Sequence, residues 1–249
     1  MLNFKSVKTQ FILYLACFAV FLSIKDKDSA FLLMTMVALV LSVAIESLIV
    51  YWKTKTLEIT ESSMITGLII GFVLSSGEPW WKFVAASALA IGSKQFIRFK
   101  KKHLFNPAAF GLFLTLILLA ASSQWKGTYV WYITVPAGIY FAYKFKKLEV
   151  LLGYGIVAIV LFGTQALLQK VLFWNIFGYF SYFYIFVMAI EPKTTPIKPV
   201  GKYVFGSGVA MLIFILTQIG VSFDVELLSL LAMNTAVPFL NNVSLKKEK

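Results

Sequence analysis

Charge along this chain comes in clusters, and between the clusters the chain runs through long apolar stretches. Residues 11–24 read FILYLACFAVFLSI and residues 31–45 read FLLMTMVALVLSVAI, neither holding an Asp, Glu, Lys or Arg. Extended to the flanking charges, the uncharged stretches 9–24 and 29–45 come near the roughly 20 residues that span a bilayer's hydrocarbon core. The pattern predicts ten membrane-spanning helices, over 9–24, 29–52, 62–76, 80–97, 106–122, 128–143, 149–165, 172–190, 203–220 and 225–240. The expected fold is all-α, a single transmembrane domain over 1–249.

Composition agrees with that pattern. Residues are 59% hydrophobic and 14% charged, against about 25% charged in soluble domains, and mean hydropathy is +0.83. The net charge of +12 invites a nucleic-acid reading, but its distribution argues otherwise. With the N-terminus inside, only Lys25, Lys27, Lys82, Lys126 and Lys170 fall outside, and the other 18 of the 23 Lys and Arg fall inside. Acidic residues divide evenly, with Glu46 alone inside a span. This asymmetry is the positive-inside signature of a membrane protein with both termini cytoplasmic, drawn to an anionic inner leaflet. The bilayer is the expected partner, and nucleic acid is not.

Ten spans fall into five and five, about 1–125 and 126–249, and an odd number per half makes the halves inverted. Inverted repeats place working sites near broken helices at matching positions. The third and eighth spans both end in a Glu-Pro step, Glu78-Pro79 and Glu191-Pro192. Because proline disfavours helix at the preceding residue, both helices are expected to break there. Thr66, Gly67 and Gly71 share one side of the third span, as packing positions or as a cofactor surface.

Several residues carry candidate chemistry. Asn106-Pro107 in KKKHLFNPAAFG is a strong helix start, and its free N–H groups suit an anion, although Asn106 also reads as a simple cap. The stretch EPKTTPIKPVG, with Glu191, Pro192, Lys193, Thr194, Thr195 and Pro196, is too polar and rigid for a lipid-facing helix. It reads either as an ordinary cytoplasmic loop or as a holder for an anionic group. Glu46 is the one carboxylate well inside an apolar run, where burial is costly unless it is used. An ion-path role, a structural ion pair and snorkelling to the interface all stay open for Glu46, and Glu78 joins it as an ion-path candidate. Asn175 and Asn234 are explained by helix-to-helix hydrogen bonds.

What is missing narrows the chemistry. One cysteine, Cys17, and one histidine, His103, cannot make a zinc or bis-histidine haem site, so no metal site is expected. His103 reads as an ordinary interfacial side chain. There is no dinucleotide fingerprint, phosphate loop, CxxC or Ser/His/Asp set, so no catalytic residue is assigned. No small-residue cleavage site follows the first apolar run, which is kept as a span.

Three segments in order, ITGLIIGFVLSSGEPWW (65–81), KKHLFNPAAFGL (101–112) and AIEPKTTP (189–196), carry a family resemblance. The chain resembles the NqrB/RnfD family, membrane proteins of the sodium-pumping NADH:quinone reductase and of the Rnf electron-transport complexes. That resemblance covers most of the chain, and FNPAAFG is its most specific piece. It implies a multi-pass subunit in a prokaryotic cell membrane, working beside other membrane redox subunits. Electrons would pass by flavin (FMN or riboflavin) while sodium or protons cross. Members carry a Ser-Gly-Ala-Thr segment whose threonine takes FMN covalently; it is absent here, and neither FGTQ at Thr164 nor WKGTYV at Thr128 matches it. Any flavin is therefore expected to be noncovalent, near Asn106-Pro107 or the 191–196 loop. The rival readings are a stand-alone solute or ion transporter on the same scaffold, and a scaffold subunit without a cofactor.

Overall fold

A computed structural model of the chain describes residues 6–99 and 102–242. Lys5, Lys100, Lys101, Lys246, Lys247 and Lys249, all assigned to the inner side by charge, lie outside the described residues, as do both termini. Nine α-helices carry the described fold: α1 (Val7–Asp26), α2 (Ser29–Thr54), α3 (Glu61–Val73), α4 (Trp80–Phe96), α5 (Pro107–Leu118), α6 (Trp131–Lys144), α7 (Leu148–Leu168), α8 (Pro199–Gln218) and α9 (Val225–Leu240). Strand structure among the described residues amounts to the short pair β1 (Arg98–Phe99) and β2 (Lys102–His103).

Helices α1, α2, α7 and α8 are long and apolar enough to cross a membrane, and α3, α5 and α9 are shorter apolar helices. The chain is a multi-pass membrane protein. Helix α2 shows why water is the wrong solvent: Thr35, Ser42, Glu46 and Ser47 are buried, whereas Leu33, Met36 and Val40 are exposed. Large apolar side chains face outward and small or polar ones face the neighbouring helices, as expected where lipid is the solvent.

Contacts divide the chain into two compact units, Met1–Arg98 with Pro107–Gly127, and Phe99–Asn106 with Thr128–Lys249. In the first, α2 packs on α3 and α4, α4 on α5, and α1 on α2 and α3. Gly67 and Gly71 make the α2–α3 contact possible. A Cβ on either would collide with backbone atoms of α2, at Ala38 and Leu39 or at Thr35. These glycines serve helix packing. In the second unit α7 packs on α8 and α8 on α9. Gly206 lets α8 press against the Val150 carbonyl of α7.

Two expectations need correction. The eighth span, 172–190, is not one helix. A 3-10 turn at Phe173–Tyr179 is followed by extended backbone at Phe180 and a π-helical turn at Tyr184–Met188. The run is crowded with aromatic residues that are poor helix formers, and tertiary contacts to α6 and α7 decide its path. Nor do the breaks fall at the Glu-Pro steps. Helix α3 stops at Val73, and Leu74 turns extended to bridge Ser123. The π turn stops at Met188. In the first unit the proline instead starts the next helix, Pro79 standing just before Trp80.

Candidate functional site

The second unit holds a cavity of about 560 Å³, within the range of small-molecule sites. Its lining combines apolar groups (Phe99, Leu104, Ile197, Val237 and Pro238) with the polar groups of Lys102, His103, Lys193, Thr194, Thr195, Asn241 and Asn242. Pro192 completes it. Four of the six residues picked out in the 191–196 loop therefore line one cavity, and Glu191 and Pro196 support it from behind. Glu191 accepts from both threonine hydroxyls: Thr194 Oγ1 reaches its Oε2 at 3.3 Å and Thr195 Oγ1 its carbonyl at 2.8 Å.

Asn106 is not a lining residue. It is buried beside the loop, and Asn234 of α9 joins the two. The Asn106 N–H donates to Asn234 Oδ1 at 2.8 Å, while Asn234 Nδ2 donates to the Thr194 carbonyl at 3.0 Å. Asn106 Nδ2 also donates to the Met188 carbonyl at 3.4 Å. Both asparagines are at most 1% exposed, so each bond lies in an apolar surrounding where an unmade one is costly. Pro107 is buried as the first residue of α5.

The loop has a second anchor that sequence reading missed. Lys147, just before α7, donates from Nζ to the carbonyls of Thr195 at 3.3 Å and Pro196 at 2.7 Å. In the sequence it is one of three lysines in KFKK and reads as part of the basic inner face; no local pattern separates a buried lysine from its solvated neighbours.

The ion-path candidates lie in the first unit. Glu46 is 4% exposed and paired with Lys94 of α4, itself 7% exposed. Lys94 Nζ reaches both carboxylate oxygens, Oε2 at 2.7 Å, and Thr60 Oγ1 donates to Oε2 at 3.0 Å. Snorkelling is thereby excluded: the carboxylate points into the protein and has a partner. Glu78 sits at a corner, 2.7 Å from Lys82, and accepts from the N–H and hydroxyl of Ser122. Burial alone would raise its pKa, but these bonds hold the carboxyl below its usual range. That geometry makes Glu78 a brace between two loops. Asn175 is exposed on the 3-10 turn, so a buried helix-to-helix bond is not its role. Cys17 is exposed on α1.

The family model described as NQR2, RnfD, RnfE family matches residues 3–129 and 144–248. The chain belongs to this family. Its members are membrane subunits of ion-translocating electron-transport complexes. No curated protein matches the chain. The matched segments include Glu46, Asn106 and the whole cavity lining, whereas most of α6 falls in the gap between them.

Proposed function

We propose that the chain is a redox-linked, ion-translocating membrane subunit that holds a flavin noncovalently in the cavity of its second unit. The cavity lining is the observation that supports this most. Apolar side chains such as Phe99, Leu104 and Val237 suit a flat ring system, Lys102 and Lys193 suit a phosphate, and the threonine oxygens, their protons given to Glu191, can accept from a polyol. When bound, flavin would supply the one- and two-electron chemistry that this chain's own side chains lack.

Covalent attachment fits poorly. The chain has no Ser-Gly-Ala-Thr segment. Thr128 Oγ1 instead lies 3.3 Å from Ser181 Oγ, and Thr164 lies within α7.

In this reading the two units are inverted repeats, each built from five spans. Supporting it, the second and fourth spans pack together in both units, as do the fourth and fifth. The coupling ion, sodium or a proton, would pass by Glu46, whose buried charge is balanced by Lys94. The absent attachment segment favours a second reading, a transporter on the same scaffold without redox chemistry. Vesicles containing the chain and its partner redox subunits separate the two. Reductant-driven sodium or proton uptake that stops on Glu46→Gln supports the first, and uptake indifferent to reductant supports the second.

A further inference from the structure

Beyond the two threonine bonds to Glu191, the cavity-lining loop is short of donors of its own. Pro192, Pro196 and Pro199 remove three N–H groups from a stretch of eight residues, so its carbonyls need donors from elsewhere. They find them in consecutive order. Asn234 holds the Thr194 carbonyl, and Lys147 holds those of Thr195 and Pro196. The Ile197 N–H in turn donates to Asn241 Oδ1 at 2.8 Å. The Thr195–Pro196 peptide has no N–H and the Ile197 N–H is taken by Asn241, so the Lys147 bonds act on the carbonyl oxygens alone.

Lys147 is an unusual residue for this place. It is 4% exposed, and no salt bridge to it occurs among the described residues. Glu149, the nearest carboxylate in sequence, is bound by Lys202 with both oxygens at 3.2 Å. A buried ammonium is costly unless it is hydrogen-bonded, and the loop carbonyls supply those bonds. Burial, and then the charge of Lys202, push its pKa from 10.5 down to about 8, with Glu149 opposing the shift.

The other unit pins its matching loop from the same corner. There α1 ends on Lys27 in left-handed backbone, and Asp28 then caps α2, its N–H donating to the Ser23 carbonyl. Here Lys146 is left-handed, and Lys147 precedes α7 with its N–H on the Ala142 carbonyl. Asp28 accepts from Ser76 in the loop after α3, as Lys147 donates to the loop after the π turn. Opposite charges thus do the same job at matching positions.

We propose that Lys147 is the positioning residue of the cavity: it holds the Thr195 and Pro196 carbonyls off the cavity, so that an anionic ligand meets Lys193 and Lys102 there without facing those carbonyl oxygens. The inference rests on the cavity being the flavin site, and its ligand class is the phosphate-bearing form, FMN, over uncharged riboflavin.

Two measurements on the full chain in mild detergent test it. Hydrogen exchange without ligand should show the 193–197 amides opening about tenfold faster in Lys147→Met, with α2 and α3 unchanged and protection largely restored in Lys147→Arg. Lys147→Gln, which keeps a shorter donor, replaces methionine if that variant does not fold. Titration should then show FMN binding weakened about tenfold and the preference over riboflavin lost. Unchanged exchange in Lys147→Met overturns the clamp, and an unchanged FMN-to-riboflavin ratio overturns the ligand class. Wild-type protein that binds neither flavin refutes the cavity reading instead, and the exchange result still decides the role of Lys147.

Discussion

Glu46 and Lys94 meet across α2 and α4, both almost fully buried, with Thr60 adding a third donor to the carboxylate. Removing one partner leaves a charge in an apolar interior. Lys94→Met should therefore cost about 3–5 kcal/mol, read as a lowered unfolding temperature in detergent. The double variant Glu46→Gln/Lys94→Met should recover most of the loss. A double variant no more stable than Lys94→Met would mean that the lysine acts through packing rather than charge.

Asn234 ties Asn106 to Thr194 by two buried bonds. Asn234→Leu should destabilise the second unit by about 2–4 kcal/mol, because a backbone N–H and a carbonyl lose their partners together. It should also weaken flavin binding, since Thr194 lines the cavity. Thermal unfolding and flavin titration on the same preparation check both effects. Flavin affinity kept at wild-type strength would detach this network from the site.

Much of the helical framework can be read from the sequence alone. Helices α1, α2, α7 and α9 begin within two residues of the expected starts, because charge clusters bound the apolar runs. Asp28 just before α2 and Asp224 just before α9 also cap those helices from the side chain. The broken eighth span was not legible: hydropathy counts apolar residues and is blind to whether they keep a helical path. Lys94 and Lys147 were hidden for a related reason. A lysine at a span's edge scores as inner-side charge whether it reaches out or folds inward. The 191–196 loop stood out by its prolines and threonines, whereas its tie to Asn106 spans a sequence separation that no local pattern reports.

Acid should loosen the first unit at its loop corner. Burial raises the cost of ionising Asp28, but bonds from the Phe31 N–H, Lys126 and Ser76 outweigh it and hold the carboxyl below its usual 3.8. A depressed carboxyl contributes stability above its unfolded pKa and loses it as pH falls through the folded value. Unfolding temperature should thus fall as pH drops below about 4, with about 1 kcal/mol of that loss absent in Asp28→Asn. An Asp28→Asn acid profile that matches wild type would contradict the assignment.

Helix contact should be sensitive at Gly206 and insensitive at Gly155. A Cβ on Gly206 collides with the Val150 carbonyl, whereas one on Gly155 meets nothing within 4 Å. Gly206→Ala should lower the unfolding temperature sharply. Gly155→Ala should leave it unchanged or raise stability by about 0.5–1 kcal/mol through helix propensity. Equal effects at both positions would contradict the close α7–α8 approach.

The most direct test of the central claim is a visible absorbance spectrum of the full chain, purified in mild detergent with flavin supplied and repeated on supernatant and pellet after acid precipitation. Flavin bands in the purified protein that move entirely to the supernatant are the predicted result, a cofactor held without a covalent bond. Flavin retained in the pellet would contradict the noncovalent assignment, and a colourless protein would contradict the flavin site itself.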